Sequence, residues 1–96
     1  MLFVADNYLG LMWKVYVISS LTSGKLYVGM TEDTIRRLIE HNAGRSKFTS
    51  GHTPWKLIYS EEIGQDINEA RKREKYLKSA AGKRFLKRKV TGSPPD

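Results

Sequence analysis

The 96-residue sequence contains no cysteine and only two histidines, His41 and His52. The absence of cysteine excludes a disulfide scaffold, a thiolate metal site and cysteine catalysis. A zinc site built on the histidines would have to recruit carboxylates. No apolar run approaches the roughly 20 residues of a membrane span, and the N-terminal segment carries Asp6 and no basic residue, unlike a signal peptide. We therefore expect one small cytoplasmic domain with no membrane partner.

Acidic residues are too few to balance the basic ones. Seventeen Lys and Arg face ten Asp and Glu, which leaves a net charge of +7. Residues 66–90 hold ten basic and three acidic side chains, whereas residues 1–65 hold seven basic and six acidic ones. Such a run is often an ordinary solvated helix face, but its cations repel one another and phosphate groups would relieve that repulsion. The charge favours nucleic acid as the partner.

Runs of β-branched and aromatic residues predict three strands, at 14–19, 25–30 and 55–60. The first two are joined by a turn at 21–24, in which Gly24 can take a positive φ. This connection is too short for a parallel crossover, so the two strands form an antiparallel hairpin.

Helical spacing predicts a first helix that is capped by Thr31 or Asp33 and ends before Gly44. An exposed basic loop follows at 45–54. A long helix is capped by Asp66 or Asn68 and runs to Ser79.

The end of the chain completes the predicted domain. Gly82 separates the long helix from a last helix at 83–90, and the tail 91–96 is predicted to be disordered. Residues 1–11 have no clear period and form an N-terminal extension. Residues 12–90 therefore form one α+β domain, a small three-stranded antiparallel or mixed sheet flanked by about three helices, with strands on one side and helices on the other.

One residue breaks the apolar pattern of the long helix. The apolar stripe consists of Ile67, Ala70, Leu77 and Ala81. Its missing member is Glu74, a carboxylate on the core-facing side. Burial of an unpaired carboxylate costs several kcal/mol unless an arginine, a metal ion or an open cleft compensates. A surface salt bridge to Arg71 or Lys78 is the equally good alternative.

The hairpin carries a tyrosine on each strand, Tyr16 and Tyr27. If the numbers of paired residues have an odd sum, both rings share one face, and an even sum puts them on opposite faces. The sequence leaves this register open. Periodicity alone favours an ordinary cross-strand aromatic pair. The functional alternative is two hydroxyls beside Gly29, whose missing side chain lets a phosphate backbone approach.

Two stripes share the first helix. The polar one consists of Thr34, Arg37 and His41, and the apolar one of Ile35, Leu38 and Ile39. The forked donors of Arg37 suit phosphate oxygens. His41 could hydrogen-bond phosphate or assist proton transfer. Taken singly, each is more simply an exposed polar side chain.

Taken together, these segments resemble the GIY-YIG nuclease domain. The matching motifs are Val15-Tyr16-Val17, then after nine residues Tyr27-Val28-Gly29, then Arg37-Leu38 and Glu74. The resemblance covers residues 13–90. Residues 36–44 are most similar to the small stand-alone bacterial branch, which is itself similar to the N-terminal domain of the bacterial excision-repair nuclease subunit.

The resemblance implies a hydrolase that cuts DNA phosphodiester bonds with one divalent ion, Mg²⁺ or Mn²⁺. It is implied to be structure-directed or weakly specific and to act in DNA repair or recombination. In this scheme Glu74 is the sole protein ligand of the metal and Tyr27 activates the attacking water. Tyr16 supports that hydroxyl network, Arg37 stabilises charge on the phosphate, and His41 lies at the rim of the site.

Two departures from the family pattern concern the triplets. Val15 stands where the family name has glycine, and Met30 stands where the excision-repair branch has a lysine. A free phenol has a pKa of about 10 and is a poor base at neutral pH. Arg37, Lys25 or water at the metal ion are the candidates that would help Tyr27 lose its proton.

The rival interpretation is a non-catalytic DNA-binding module. In it the basic C-terminal helices clamp phosphates, Trp55 or Phe48 stacks on bases, and Glu74 is only a salt-bridge partner. In either interpretation the candidate nucleic-acid contacts are Lys47, Arg71, Lys75, Lys78 and Arg84. The module accounts for the charge but not for the nuclease spacing of the tyrosines, the arginine and the acid.

Overall fold

The computed structural model describes residues 12–92, so the predicted extension 1–11 and the tail residues 93–96 lie outside the described residues. The elements are β1 (Trp13–Ser20), β2 (Leu26–Thr31), α1 (Thr34–Asn42), β3 (Trp55–Gly64), α2 (Ile67–Lys78) and α3 (Ala80–Thr91), with a 3₁₀ turn at Ser50–His52. The three strands form one antiparallel sheet in the order β2-β1-β3. The predicted α+β class is confirmed. Within the described range, every helix is too short or too polar to span a bilayer.

The hairpin register places both tyrosines on one face of the sheet. Tyr16 pairs with Gly29, and Ile18 pairs with Tyr27. Tyr27 therefore lies diagonally across from Tyr16, two residues from its direct partner. The register that the sequence left open is the odd one.

The helices cover both faces of the sheet. On one face, Val15 and Val17 of β1 pack in a core with Leu77 of α2 and Leu86 of α3. On the other face, a second core is formed by Tyr16, Ile18 and Trp55, against which Tyr27 of β2 and Leu38 of α1 pack. The expectation of strands on one side and helices on the other is therefore wrong for α1. Because β1 is the central strand and is apolar on both faces, both faces need cover.

The starts of α1 and α2 follow the sequence prediction. Asp33 caps α1 and accepts a hydrogen bond of 3.0 Å from the Arg36 backbone N–H. Asp66 caps α2 in the same way through the Asn68 backbone N–H, at 2.9 Å. Each cap satisfies a helical donor that would otherwise have no partner.

The boundary between α2 and α3 lies at Ser79 and not at Gly82 as predicted. Ser79 caps α3, because its hydroxyl accepts a hydrogen bond of 3.2 Å from the Gly82 backbone N–H. Gly82 is buried inside α3, where an added Cβ would overlap the carbonyl oxygen of Tyr76 and lie 2.5 Å from the Leu77 Cα. Glycine is needed here because the two helices approach so closely.

Arg73 joins α2 to the end of β3. Its guanidinium donates to both carboxylate oxygens of Glu61, at 2.6 and 3.3 Å. It also lies 5.0 Å from the ring centroid of Tyr76 and 4.9 Å from that of Phe85. Arg73 thus has a structural role within the basic run.

Strand β3 is longer than predicted. It extends to Gly64, four residues beyond the predicted strand end at residue 60.

Candidate active site

A buried chain of hydrogen bonds runs from β1 through α1 to the loop that precedes β3. The Tyr16 hydroxyl lies 2.8 Å from Nε2 of His41. On the other side of the ring, Nδ1 of His41 lies 2.7 Å from the hydroxyl of Thr49. Tyr16, His41 and Thr49 are all buried. The expected position of His41 at the rim of the site is therefore wrong, since its ring lies beneath the surface between two partners.

The burial of His41 follows from the orientation of α1. Ile35 and Ile39 of the predicted apolar stripe are 72% and 63% exposed, whereas His41 has no exposed surface. His41 faces the sheet together with Leu38, the third residue of the apolar stripe. This arrangement is acceptable in a core because both ring nitrogens of His41 are hydrogen-bonded.

Burial and charge disfavour ionisation of the Tyr16 hydroxyl. Burial, followed by repulsion from the charge of Tyr27, raises the pKa of Tyr16 to about 12, although Arg37 acts in the opposite direction. Burial, and then the positive charge of Arg37, lower the pKa of His41. Tyr16 can thus donate its proton to Nε2 of a neutral His41, whose Nδ1–H then donates to Thr49.

Gly29 gives Tyr16 the room it needs. A Cβ at Gly29 would lie 2.5 Å from the Tyr16 hydroxyl oxygen and 2.7 Å from the ring carbon that bears it. The Tyr16 ring therefore lies directly over the glycine. The open space that the sequence suggested for a phosphate backbone at Gly29 is occupied by this ring.

Tyr27 lies at the surface end of the same cluster. Its ring centroid is 5.1 Å from that of His41, 6.4 Å from that of Tyr16 and 5.7 Å from that of Phe48. The side chain is half-buried. No side chain among residues 12–92 is hydrogen-bonded to the Tyr27 hydroxyl, so this oxygen is available to a ligand or to water.

Arg37 lies beside Tyr16 and is held by an acid of its own helix. Its Nη1 lies 2.9 Å from Oε1 of Glu40, and this hydrogen bond lowers the pKa of Glu40. The side chain is partly exposed. The guanidinium interacts with the Tyr16 hydroxyl as well as with Glu40, and its remaining N–H groups can still bind an anion. Glu40 was missed in the sequence, although its spacing of three residues from Arg37 is a usable signal.

Among residues 12–92, Glu74 is linked to this cluster by its charge and not by a hydrogen bond. Its side chain is 23% exposed, and Oε2 lies 3.4 Å from Nζ of Lys78. The salt bridge that the sequence offered as an alternative is therefore present. The negative charge of Glu74 also raises the pKa of Tyr16, so the carboxylate is close enough to act on the buried phenol.

The donor atoms present would suit a hard divalent ion with a single protein ligand. Among residues 12–92, no three His, Asp or Glu side chains are grouped to hold a metal. A partly exposed carboxylate such as Glu74 can bind Mg²⁺ or Mn²⁺ when water and phosphate complete the shell.

The candidate nucleic-acid contacts lie on the surface. All five are exposed: Lys47 in the loop, Arg71, Lys75 and Lys78 on α2, and Arg84 on α3. Trp55 is only 2% exposed, and its indole N–H donates to the carbonyl of Thr49 at 2.8 Å. The prediction that a base stacks on Trp55 is therefore wrong. Phe48, the other residue proposed for stacking, is 56% exposed.

Two residues near the loop between α1 and β3 make contacts that the sequence did not identify. Thr49 of the loop is buried, which contradicts the expectation of an exposed loop at this residue. Asn42, the last residue of α1, binds the backbone of Trp55, donating to its carbonyl at 3.0 Å and accepting from its N–H at 2.6 Å. Periodicity could reveal neither contact, because both depend on tertiary packing.

Comparisons with known proteins identify the family of the chain. A family model described as the GIY-YIG catalytic domain matches residues 12–88. A UPF0213 protein of Desulfotalea psychrophila is 37% identical over 68 residues, which are 69% of this chain and 60% of that protein. A UPF0213 protein of Halobacterium salinarum is 43% identical over 68 residues, 70% of this chain and 86% of that protein.

A third relative has a name that describes its function, but it matches a shorter part of this chain. The human structure-specific endonuclease subunit SLX1 is 40% identical over 48 residues, which are 46% of this chain and 18% of that protein. No solved structure matches the chain. The chain therefore belongs to the GIY-YIG family, and residues 12–88 form its GIY-YIG catalytic domain.

Proposed function

We propose that the protein hydrolyses DNA phosphodiester bonds with one bound divalent ion. The observation that carries the proposal is the convergence of Tyr16, Tyr27, Arg37 and His41 on one face of the sheet, with the charge of Glu74 close enough to act on Tyr16. The named human relative is a structure-specific endonuclease subunit. We extend that class to this chain, with branched or flapped DNA as substrate in repair or recombination.

In this proposal Tyr27 accepts the proton of the attacking water. Its hydroxyl has no hydrogen bond to a side chain among residues 12–92, whereas the Tyr16 hydroxyl is committed to His41. The raised pKa of Tyr16, about 12, also leaves very little of it as phenolate at neutral pH. Tyr16 and His41 are positioning residues that fix the cluster beneath Tyr27.

Arg37 and Glu74 carry the electrostatic part of the proposal. Arg37 can place unused guanidinium donors where negative charge builds on the phosphate. Glu74 would hold Mg²⁺ or Mn²⁺ through its carboxylate. The bound ion would polarise the phosphoryl group and stabilise the leaving oxygen. Release of Glu74 from Lys78 would accompany ion binding, since both cations compete for the same oxygens.

One observation favours a second candidate, the non-catalytic DNA-binding module. The salt bridge between Glu74 and Lys78 gives the carboxylate a structural role without any metal. This module would bind DNA through the same basic helices and would leave it intact.

Cleavage assays separate the two candidates. Supercoiled plasmid, flapped DNA and branched DNA are incubated with the protein and Mg²⁺ or Mn²⁺, with parallel samples in EDTA. We expect metal-dependent nicking that Glu74→Ala abolishes, while a gel-shift assay shows that Glu74→Ala still binds DNA. Intact DNA in every wild-type sample, or full cleavage by Glu74→Ala, would contradict the proposed function.

A further inference from the structure

A groove of about 350 Å³ opens beside Tyr27, between β2, the loop before β3 and the helices α2 and α3. Its floor is apolar and includes Val28 and Leu77, whereas Lys78 and Lys83 lie among its lining residues. The volume falls at the lower end of the roughly 300–1,000 Å³ of small-ligand pockets. We call it the Phe48 groove, after the aromatic ring at its edge.

Phe48 is an unusual residue in this position. Its ring is 56% exposed, although it lies 5.7 Å from the Tyr27 ring at an interplanar angle of 31°. A largely exposed aromatic ring beside a second, tilted ring offers a surface on which another flat ring can stack. The fold itself does not require a phenylalanine there, because the side chain is mostly outside the core.

The position of Phe48 is fixed by its neighbour in the chain. Thr49 is buried, its hydroxyl is paired with His41, and its carbonyl accepts from the Trp55 indole. The backbone next to Phe48 is therefore anchored to the active-site cluster. A backbone that is fixed before a ligand arrives loses little freedom when the ligand binds.

The charges at the groove match a phosphate backbone. Lys78 connects the groove to Glu74 through their ion pair of 3.4 Å. Lys83 contributes a second ammonium group to the lining. An apolar floor, an aromatic platform and two cations are the combination that binds a nucleotide whose base has left the helical stack.

We propose that the Phe48 groove binds the base of an unpaired nucleotide next to the scissile phosphate of DNA. The inference rests on the proposed function, because it takes the nearby Tyr27 and Glu74 to mark the bond that is cut. A base inside an intact duplex is stacked and cannot reach the groove without being extruded. The groove thus selects DNA in which a single-stranded nucleotide adjoins the cut.

Binding measured without cleavage tests the groove. In EDTA, the protein is titrated into flapped DNA with 2-aminopurine as the unpaired nucleotide and into a duplex with the same base paired. We expect about tenfold tighter binding of the flapped DNA and a change in 2-aminopurine fluorescence. Phe48→Ala should lose the preference, and Phe48→Tyr should keep it because a phenol ring also stacks.

Two matched controls accompany the groove variants. Ile39→Ala removes a similarly exposed apolar side chain from α1, outside the groove, and should leave the preference unchanged. Lys83→Gln should weaken binding of the flapped DNA more than Lys56→Gln, which removes an exposed charge from β3.

The outcomes distinguish the groove from the nuclease proposal. Equal binding of both DNAs by the wild type, or an unchanged preference in Phe48→Ala, overturns the groove even if metal-dependent cleavage is observed. A preference that depends on Phe48 supports the groove as a binding site for an unpaired base. If cleavage is then absent, the nuclease proposal fails on its own.

Discussion

At the residue scale, the ring of His41 has a partner for each nitrogen and no contact with solvent. Protonation would place a second donor against the Tyr16 hydroxyl, which already donates, and would bury a positive charge near Arg37. Both effects oppose the charged form of His41. The neutral ring is thus part of the folded structure.

This arrangement predicts a dependence of stability on pH. Burial and then Arg37 lower the pKa of His41 below its ordinary value of 6.5. The unfolded chain therefore takes up the proton at higher pH than the folded one, and the free energy of unfolding falls as the pH falls through this range. Urea denaturation from about pH 7.5 to 5.5 should show a larger loss for the wild type than for His41→Gln. Parallel curves for the two proteins would show that His41 does not titrate in this way.

Gly29 supplies a second prediction at this scale. An added methyl group would meet the Tyr16 hydroxyl at 2.5 Å and push the ring away from His41. We expect Gly29→Ala to lower the rate of DNA cleavage by roughly 100-fold through misplacement of the cluster. Gly51→Ala is the control, since a Cβ there would meet nothing within 4 Å. Equal rates for the two variants would mean that the position of Tyr16 is unimportant.

Candidate site residues could be named from the sequence, but the burial and contacts of some of them could not be predicted. Tyr16 and Tyr27 became candidates through the resemblance to the family pattern, and Glu74 through that resemblance and a broken apolar stripe. The burial of His41 could not be predicted, because Ile35 and Ile39 suggested a core-facing side of the first helix but face away from the sheet. His41 lies on the inner side beside Leu38 because both of its nitrogens are hydrogen-bonded, and periodicity carries no information on such partners.

At the scale of elements, the packing of α3 on the end of α2 depends on the missing side chain of Gly82. The atoms that a Cβ would meet belong to the backbone of Tyr76 and Leu77 and cannot rotate away. We expect Gly82→Ala to lower the free energy of unfolding by about 1–3 kcal/mol. The gain in helix propensity from alanine, about 1 kcal/mol, is smaller than a serious overlap would cost.

Urea denaturation of Gly82→Ala and of the control Gly51→Ala measures this effect. The control should stay within about 0.5 kcal/mol of the wild type. A Gly82→Ala protein as stable as the control would show that the two helices can separate without loss.

Helix starts were predictable and helix junctions were not. Asp33 and Asp66 cap their helices through contacts two or three residues away, so the signal is local. Gly82 was taken as a break because glycine often ends a helix. Its actual role depends on contact with α2, while Ser79 makes the break. The length of β3 likewise reflects long-range pairing with β1.

At the scale of the whole molecule, the two cores place α1 on one face of the sheet and the basic helices α2 and α3 on the other. The sequence predicted the charge surplus and the α+β class, but not this division of the helices. Central strands that are apolar on both faces are the signal for it, and the run at 15–18 carries that signal. One basic residue, Arg73, is engaged with Glu61 and is not part of the exposed surplus.

The excess of exposed basic residues on α2 and α3 predicts salt-dependent binding of DNA. Arg71 of α2 and Arg84 of α3 are both exposed. If each neutralises a phosphate, Arg71→Ala and Arg84→Ala should each reduce the slope of log affinity against log salt by about 0.9 on duplex DNA. Fluorescence anisotropy in EDTA measures the slope, with Lys56→Ala on β3 as the control. Slopes equal to the wild type in both variants would place the DNA on another surface.

The central claim concerns one carboxylate, and a comparison of two acids on the same helix tests it most directly. Glu74 is 23% exposed and acts on the tyrosine cluster by charge, whereas Glu69 is 58% exposed and pairs with Lys72. The measurement is the initial rate of plasmid nicking as a function of Mg²⁺ or Mn²⁺ concentration for Glu74→Gln and Glu69→Gln. We expect Glu74→Gln to lose at least about 100-fold in rate and Glu69→Gln to stay within about twofold of the wild type. Equal rates for the two variants would contradict the role of Glu74 as the metal ligand and, with it, the proposed nuclease mechanism.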